Sequence, residues 1–250
     1  NKMGFNLTFN EQLTEDNETL VITVSTDAEN DDFIRIMGFE FWELDIYINP
    51  AYILNFTADV DTSSIDFYAN EAEFNGISIK QGTGSFYGVI ENTIVNNTFS
   101  VVSDTGSVSL ELNKVTVNTD LSLDDNVGSI DLLTMDSNLG AVAIETDTGS
   151  VEVDLSNTVM GDLSIKSNTG SLNILAVALT LNGNINAQAD TGSINMEVSN
   201  MKLGADRSII INANTGSVDL TWTQAENLGH LMTVNITTDT RSEERRVGKE

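Results

Sequence analysis

The sequence predicts an all-β protein. The expected architecture is a single-stranded parallel β-solenoid (a β-helix) of about eight coils, each of 21–24 residues, behind an aromatic-rich β cap at the N-terminus. Three observations carry this. First, a Gly-Ser pair recurs at Gly84-Ser85, Gly106-Ser107, Gly128-Ser129, Gly149-Ser150, Gly170-Ser171, Gly192-Ser193 and Gly216-Ser217, at spacings of 22, 22, 21, 21, 22 and 24 residues. A fixed period of this length marks units that bury a face only against their neighbours. Second, apolar residues between the pairs alternate with period two, as Val108, Leu110 and Leu112 do around Ser109 and Glu111, so one face is apolar and the other wet. Third, no segment from 60 to 220 keeps a capped 3.6-residue period, which excludes helices.

Residues 1–57 precede the repeat and read as the cap. Leu20–Val24, Phe33–Ile36 and Phe41–Ile48 are strand-like, and Asn49-Pro50 closes the last of them. Fifteen of the sixteen aromatic residues lie within residues 1–99, and a solenoid needs atypical end units to cover its open core. Trp42 and Tyr47 within this region also suit a platform on which a sugar ring stacks.

Residues 58–240 read as the repeat domain. A degenerate first copy, DTSSIDF, holds Ser63-Ser64. Three short strands and three corners fill about 22 residues at roughly 3.3 Å per residue, which gives a triangular or flattened coil. Gly84, Gly106, Gly128, Gly149, Gly170, Gly192 and Gly216 are the expected corners, because glycine tolerates positive φ. Two residues before them stand Asp104, Asn126, Asp147, Asn168, Asp190 and Asn214. Both types form Asx-turns with their own backbone. Their alternation also keeps like charges apart, since carboxylates stacked about 4.8 Å apart repel by on the order of 1 kcal/mol in water. A second reading makes Asp104, Asp147 and Asp190 a row of oxygen ligands for calcium; no other cofactor is indicated. The 24-residue spacing before Gly216 implies an insertion near Gly204–Ser208. It brings Lys202, Asp206 and Arg207 together, and insertions in solenoids form loops that often bind ligands.

Residues 241–250, RSEERRVGKE, break the alternation and carry four of the eleven basic residues. They resemble translated vector or adaptor sequence, are expected not to be native, and are set aside in predicting the fold.

Composition narrows the function. The chain has 250 residues, a net charge of −27, a pI of about 4.1 and no cysteine. Disulfides, thiolate catalysis and Cys-ligated zinc are excluded. So acidic a surface should repel nucleic acid and anionic lipid, and attract divalent cations or basic partners. No run of 18 apolar residues is present to span a membrane as a helix. The chain opens on an asparagine, so a signal peptide or anchor is expected upstream of it. Sequons at Asn6, Asn17, Asn55, Asn96 and Asn235 suit a cell surface, but a chain rich in Asn, Ser and Thr gives about that many by chance.

The stretch ELDIYINPAYILNFTADVDTSSIDF, followed by DTGSVSLEL, DTGSVEVDL, DTGSINMEV and NTGSVDLTW, resembles the DUF4097 family, whose members are suspected adhesins. The resemblance covers about residues 18–222. It implies a β-solenoid, often surface-associated in bacteria and archaea, and it supplies no catalytic residues.

Three functions follow as expectations. The leading one is a non-enzymatic extracellular or cell-surface scaffold or adhesin that binds carbohydrate or a surface protein, with Trp42, Tyr47, Lys202 and Arg207 as candidate contacts. The second is a polysaccharide hydrolase or lyase, for which outward acids such as Asp131, Glu152, Asp154 and Glu197 are plentiful but unpaired. His230, the single histidine, gives a Ser-His-Asp triad one weak candidate. The third is self-assembly of coil ends into a filament.

Overall fold

The computed structural model describes residues 6–13, 19–27, 53–239 and 243–248, with side chains over 53–239. It is all-β. Two sheets of 15 and 9 strands, here the broad and the narrow sheet, face one another. From Ile53 onward every pairing joins parallel strands one coil apart.

One coil shows how the sequence makes the shape. After the Gly149-Ser150 corner, Val151–Ser156 runs in the narrow sheet. The chain bends at Asn157, passes through the two-residue strand Val159–Met160, and crosses the broad sheet as Leu163–Thr169 to the next corner. The short strand belongs to the broad sheet, so the coil is flattened. In four coils the short and long segments fuse, as Ile53–Thr62, Glu73–Thr83, Thr116–Val127 and Asn138–Thr148, the third with a register shift between Val117 and Asp120.

Alternation decides what is inside. Val151, Val153 and Leu155 are buried, while Glu152 faces water. Equivalent residues stack in rows, such as Ile77, Phe99, Leu121, Val142, Leu163 and Ile185, and all are fully buried. The thin core holds aliphatic side chains along most of its length. Aromatics gather toward the N-terminal coils, where Phe67 lies 4.8 Å from Phe56 and 5.9 Å from Phe74.

Two kinds of bend turn the coil. At the Gly-Ser corner the backbones of successive coils nearly touch. A Cβ on Gly149 would fall 1.6 Å from the Gly128 carbonyl oxygen, and φ there is +155°. Only glycine satisfies both demands. The second bend lies eight residues after each corner glycine from Gly84 to Gly192, at Asn92, Lys114, Asp136, Asn157, Ala178 and Asn200, with φ between 48° and 54°. Asn and Asp suit that left-handed conformation; Lys114 and Ala178 adopt it at a cost.

At the N-terminal end, Asn6–Leu13 pairs antiparallel with Thr19–Asp27, which pairs parallel with Ile53–Thr62. Most of the expected cap, including Trp42 and Tyr47, lies outside the described residues. At the other end Trp222 packs against the core, and Met232–Thr238 and Glu243–Gly248 add one further strand to each sheet. Glu243–Gly248, within the segment that resembles vector or adaptor sequence, continues the narrow sheet. Parallel pairing is made by the backbone, so it is open to a segment without alternation.

Candidate functional site

The Asp/Asn positions form a ladder of hydrogen bonds. Asn126 Nδ2 donates to Asp104 Oδ1 at 2.6 Å, Asn168 Nδ2 to Asp147 Oδ1 at 2.6 Å, and Asn214 Nδ2 to Asp190 Oδ1 at 3.0 Å. The alternation therefore does more than separate charges: each amide supplies the donor that the carboxylate beside it needs. These bonds run between coils, in place of the local Asx-turns that the residue types suggest. Among the described residues no group of three or more Asp, Glu or His side chains converges as a metal site.

The outer faces of the two sheets differ in charge. The eight strands of the narrow sheet from Ile65–Asn70 to Val218–Thr223 contain no Lys, Arg or His. Asp131, Glu152 and Glu197 stand exposed on them. The broad sheet carries Lys80, Lys166, Lys202 and Arg207.

Two shallow troughs run across the outer face of the broad sheet. In the first, Asp124, Glu145 and Lys166 stack in register on adjacent strands. Lys166 Nζ lies 2.6 Å from Glu145 Oε1. That hydrogen bond, followed by the Coulomb attraction of Glu145, raises the Lys166 pKa. Partial burial, then the charges of Glu145 and Asp147, raise the pKa of Asp124. The second trough, toward the N-terminal coils, is lined by neutral groups. Asn75 Nδ2 donates to Asn55 Oδ1 at 3.0 Å and Asn97 Nδ2 to Asn75 Oδ1 at 2.8 Å, beside Phe56, Ser78 and Ser100. A register shift between Leu54 and Asn55 opens the sheet at this point.

A parallel solenoid with these repeats over nearly the whole chain has a family counterpart. The model described as Toastrack DUF4097 matches residues 6–247. The chain belongs to the DUF4097 family. No curated protein and no solved structure matches it.

In this Toastrack chain the residues singled out from sequence fall in separate places. All seven corner glycines adopt positive φ at stacked corners. Lys202 is exposed on the short strand Lys202–Leu203. Asp206 and Arg207 are engaged within the protein. Asp206 Oδ1 accepts from the Leu231 N–H at 3.0 Å and lies 3.7 Å from His230 Nδ1, and the Arg207 N–H donates to the Leu231 carbonyl at 2.9 Å. The insertion thus clamps the following loop against the last coils. It places His230 beside Asp206, on a loop exposed to solvent. Sequence reasoning missed both troughs. Register alone brings Asp124 to Glu145 and Asn75 to Asn97, and the only sequence signal was their spacing of 21 and 22 residues, the same as the repeat.

Proposed function

We propose that this DUF4097 chain is a non-enzymatic binding module that acts as a cell-surface scaffold or adhesin, with neutral glycan as its ligand. The observation that carries the reading is the trough of Asn55, Asn75 and Asn97 beside Ser78 and Ser100. Amides and hydroxyls at one-coil intervals offer donors and acceptors to sugar hydroxyls. The neutral lining suits an uncharged sugar on a protein whose net charge of −27 disfavours anionic ligands. The acidic narrow-sheet face suits the spacer role, since it keeps neighbouring molecules apart.

A glycan array probed with the full chain, with and without calcium, tests this. Selective binding to neutral glycans is expected, reduced at least about tenfold in the Asn75→Ala/Asn97→Ala variant, the loss of roughly 1.4 kcal/mol of binding. Silence of the array, or binding that the double variant leaves intact, removes the proposal. Binding that requires calcium would return attention to Asp104, Asp147 and Asp190.

A second reading, a polysaccharide hydrolase or lyase, draws on the row Asp124, Glu145 and Lys166. Adjacent strands stand about 4.8 Å apart, near the carboxylate separation that retaining glycosidases use, and Asp124 has the raised pKa of a general acid. Release of reducing ends or of unsaturated uronate from a polysaccharide panel, abolished in Asp124→Asn, would favour it. No product from any polysaccharide would dismiss it.

A further inference from the structure

Asp125 is the one ionisable side chain, among the described residues, that the solenoid buries completely; its exposure is 0%. It stands three residues before Gly128, in an inward row with Gln81, Ser103, Thr146 and Ser167. Two members of this row show what the position does. Thr146 Oγ1 donates to the Gly128 carbonyl at 3.3 Å, and Ser167 Oγ to the Gly149 carbonyl at 3.2 Å. Each hydroxyl satisfies the corner carbonyl of the preceding coil. By the same register Asp125 faces the Gly106 carbonyl. A Cβ placed on Gly128 would fall 2.4 Å from Asp125 Oδ2 and 1.6 Å from Gly106 O, so the two oxygens are close neighbours. The Ser103 hydroxyl and the Val127 N–H lie near the Asp125 carboxyl, but neither of its oxygens makes a well-formed hydrogen bond. Two acceptors set side by side out of water are costly unless a proton lies between them.

We propose that Asp125 is a buried proton-binding site: its protonated carboxyl donates to the Gly106 carbonyl, as Thr146 and Ser167 donate in the following coils, and ionisation breaks that bond and weakens the corner. The charges around it favour the neutral form. They are Asp124 on its own strand, Asp104 on Phe99–Thr105 and Asp147 on Asn138–Thr148, all acidic. Across the corner the narrow sheet presents Val108, Ile130 and Val151, which are buried and uncharged. Burial pushes the Asp125 pKa up to about 6, while the Ser103 hydroxyl and the Val127 N–H pull it back. The folded-state value thus lies above the unfolded one. The stabilisation is complete below pH ~4, the ordinary carboxyl value, and is lost as pH rises through about 6.

Thermal unfolding of the full chain from pH 4 to pH 8 tests the assignment. Wild type, Asp125→Asn and Asp125→Thr are compared, each with EDTA and with millimolar calcium. Asparagine keeps the shape and supplies a permanent donor; threonine copies position 146. The Asp125→Asn midpoint is expected to exceed that of wild type by about 2–4 °C at pH 8, and this advantage should vanish by pH 4. The carboxyl carbon resonance of Asp125 in wild type, assigned by its loss in Asp125→Asn, is expected to titrate near pH 6. A titration near pH 4 would overturn the proposal. So would a constant difference between variant and wild type across the pH range. A calcium-induced rise in the wild-type midpoint that Asp125→Asn abolishes would also overturn it, by placing a cation where the proton is assigned. Should both variants fail to fold, the wild-type resonance, assigned by through-bond correlation to the Asp125 backbone, decides alone.

Discussion

Gly149 shows how one residue carries the corner. Its Cα lies so near the Gly128 carbonyl that a methyl group has no room, and its φ of +155° is unfavourable to any other residue. Gly149→Ala should therefore cost about 4 kcal/mol or more, at the extreme of single substitutions. Urea denaturation followed by circular dichroism would measure it. A loss under about 1 kcal/mol would mean that the stacked corners yield more easily than this contact implies. The row of residues behind the corners has a subtler logic. Thr146 and Ser167 close hydrogen bonds there, Ala189 and Ala213 need none, and Asp125 needs a proton. From sequence the Asp125-Asn126 pair in DDNVGS reads as another Asp/Asn turn. Register shows that Asp125 points inward while Asn126 points out to Asp104.

The second bend sets the limits of each element. It follows the narrow-sheet strand in the coils from Ile65–Asn70 to Ile194–Ser199, and its left-handed conformation favours Asn, Asp or Gly. Asn92, Asn157 and Asn200 meet that demand, and Ala178 does not. Ala178→Gly should thus stabilise the protein by about 1 kcal/mol, read as a higher urea midpoint at unchanged slope. No gain would mean that glycine's extra freedom in the unfolded chain offsets the relief of strain. This bend was only faintly legible, because Asn113-Lys114 looks like one loop among several polar dipeptides. The narrow-sheet strands were legible in full. Val151, Val153 and Leu155 alternate with Glu152 and Asp154 in the sequence as they do in space.

Across the whole molecule, charge works against stacking. The chain carries 38 acidic and 11 basic residues, and parallel register lines many acids up one coil apart. Among the described residues the one pairing of Lys or Arg with a carboxylate is Lys166–Glu145, which is exposed, and exposed pairs contribute little. Screening should therefore stabilise the solenoid. The thermal midpoint is expected to rise by several degrees between about 0.01 M and 0.2 M sodium chloride, as the Debye length falls from about 30 Å to under 10 Å. Potassium glutamate at equal ionic strength should act similarly if screening is the cause. A flat response would mean that the hydrogen-bonded Asp/Asn ladder already offsets the repulsion. The same ladder shows why the paired residues were readable and the pairing was not: Asp104 and Asn126 are visible as types, whereas their 2.6 Å bond exists only once the coils stack.

The sequence by itself determined the period, the corner glycines, the inward rows and the parallel solenoid, because each follows from local rules: alternation, positive φ and self-similarity. Tertiary structure alone decided which side chains meet. It set Asn75 against Asn97 and Asp124 against Glu145, tied Asp206 to the loop at Leu231, and enclosed Asp125 beside the Gly106 carbonyl. These contacts join residues 19 to 25 positions apart, and their partners are chosen by the register of whole strands. That register is fixed by the summed burial of aliphatic rows and by backbone pairing, which no short stretch of sequence contains.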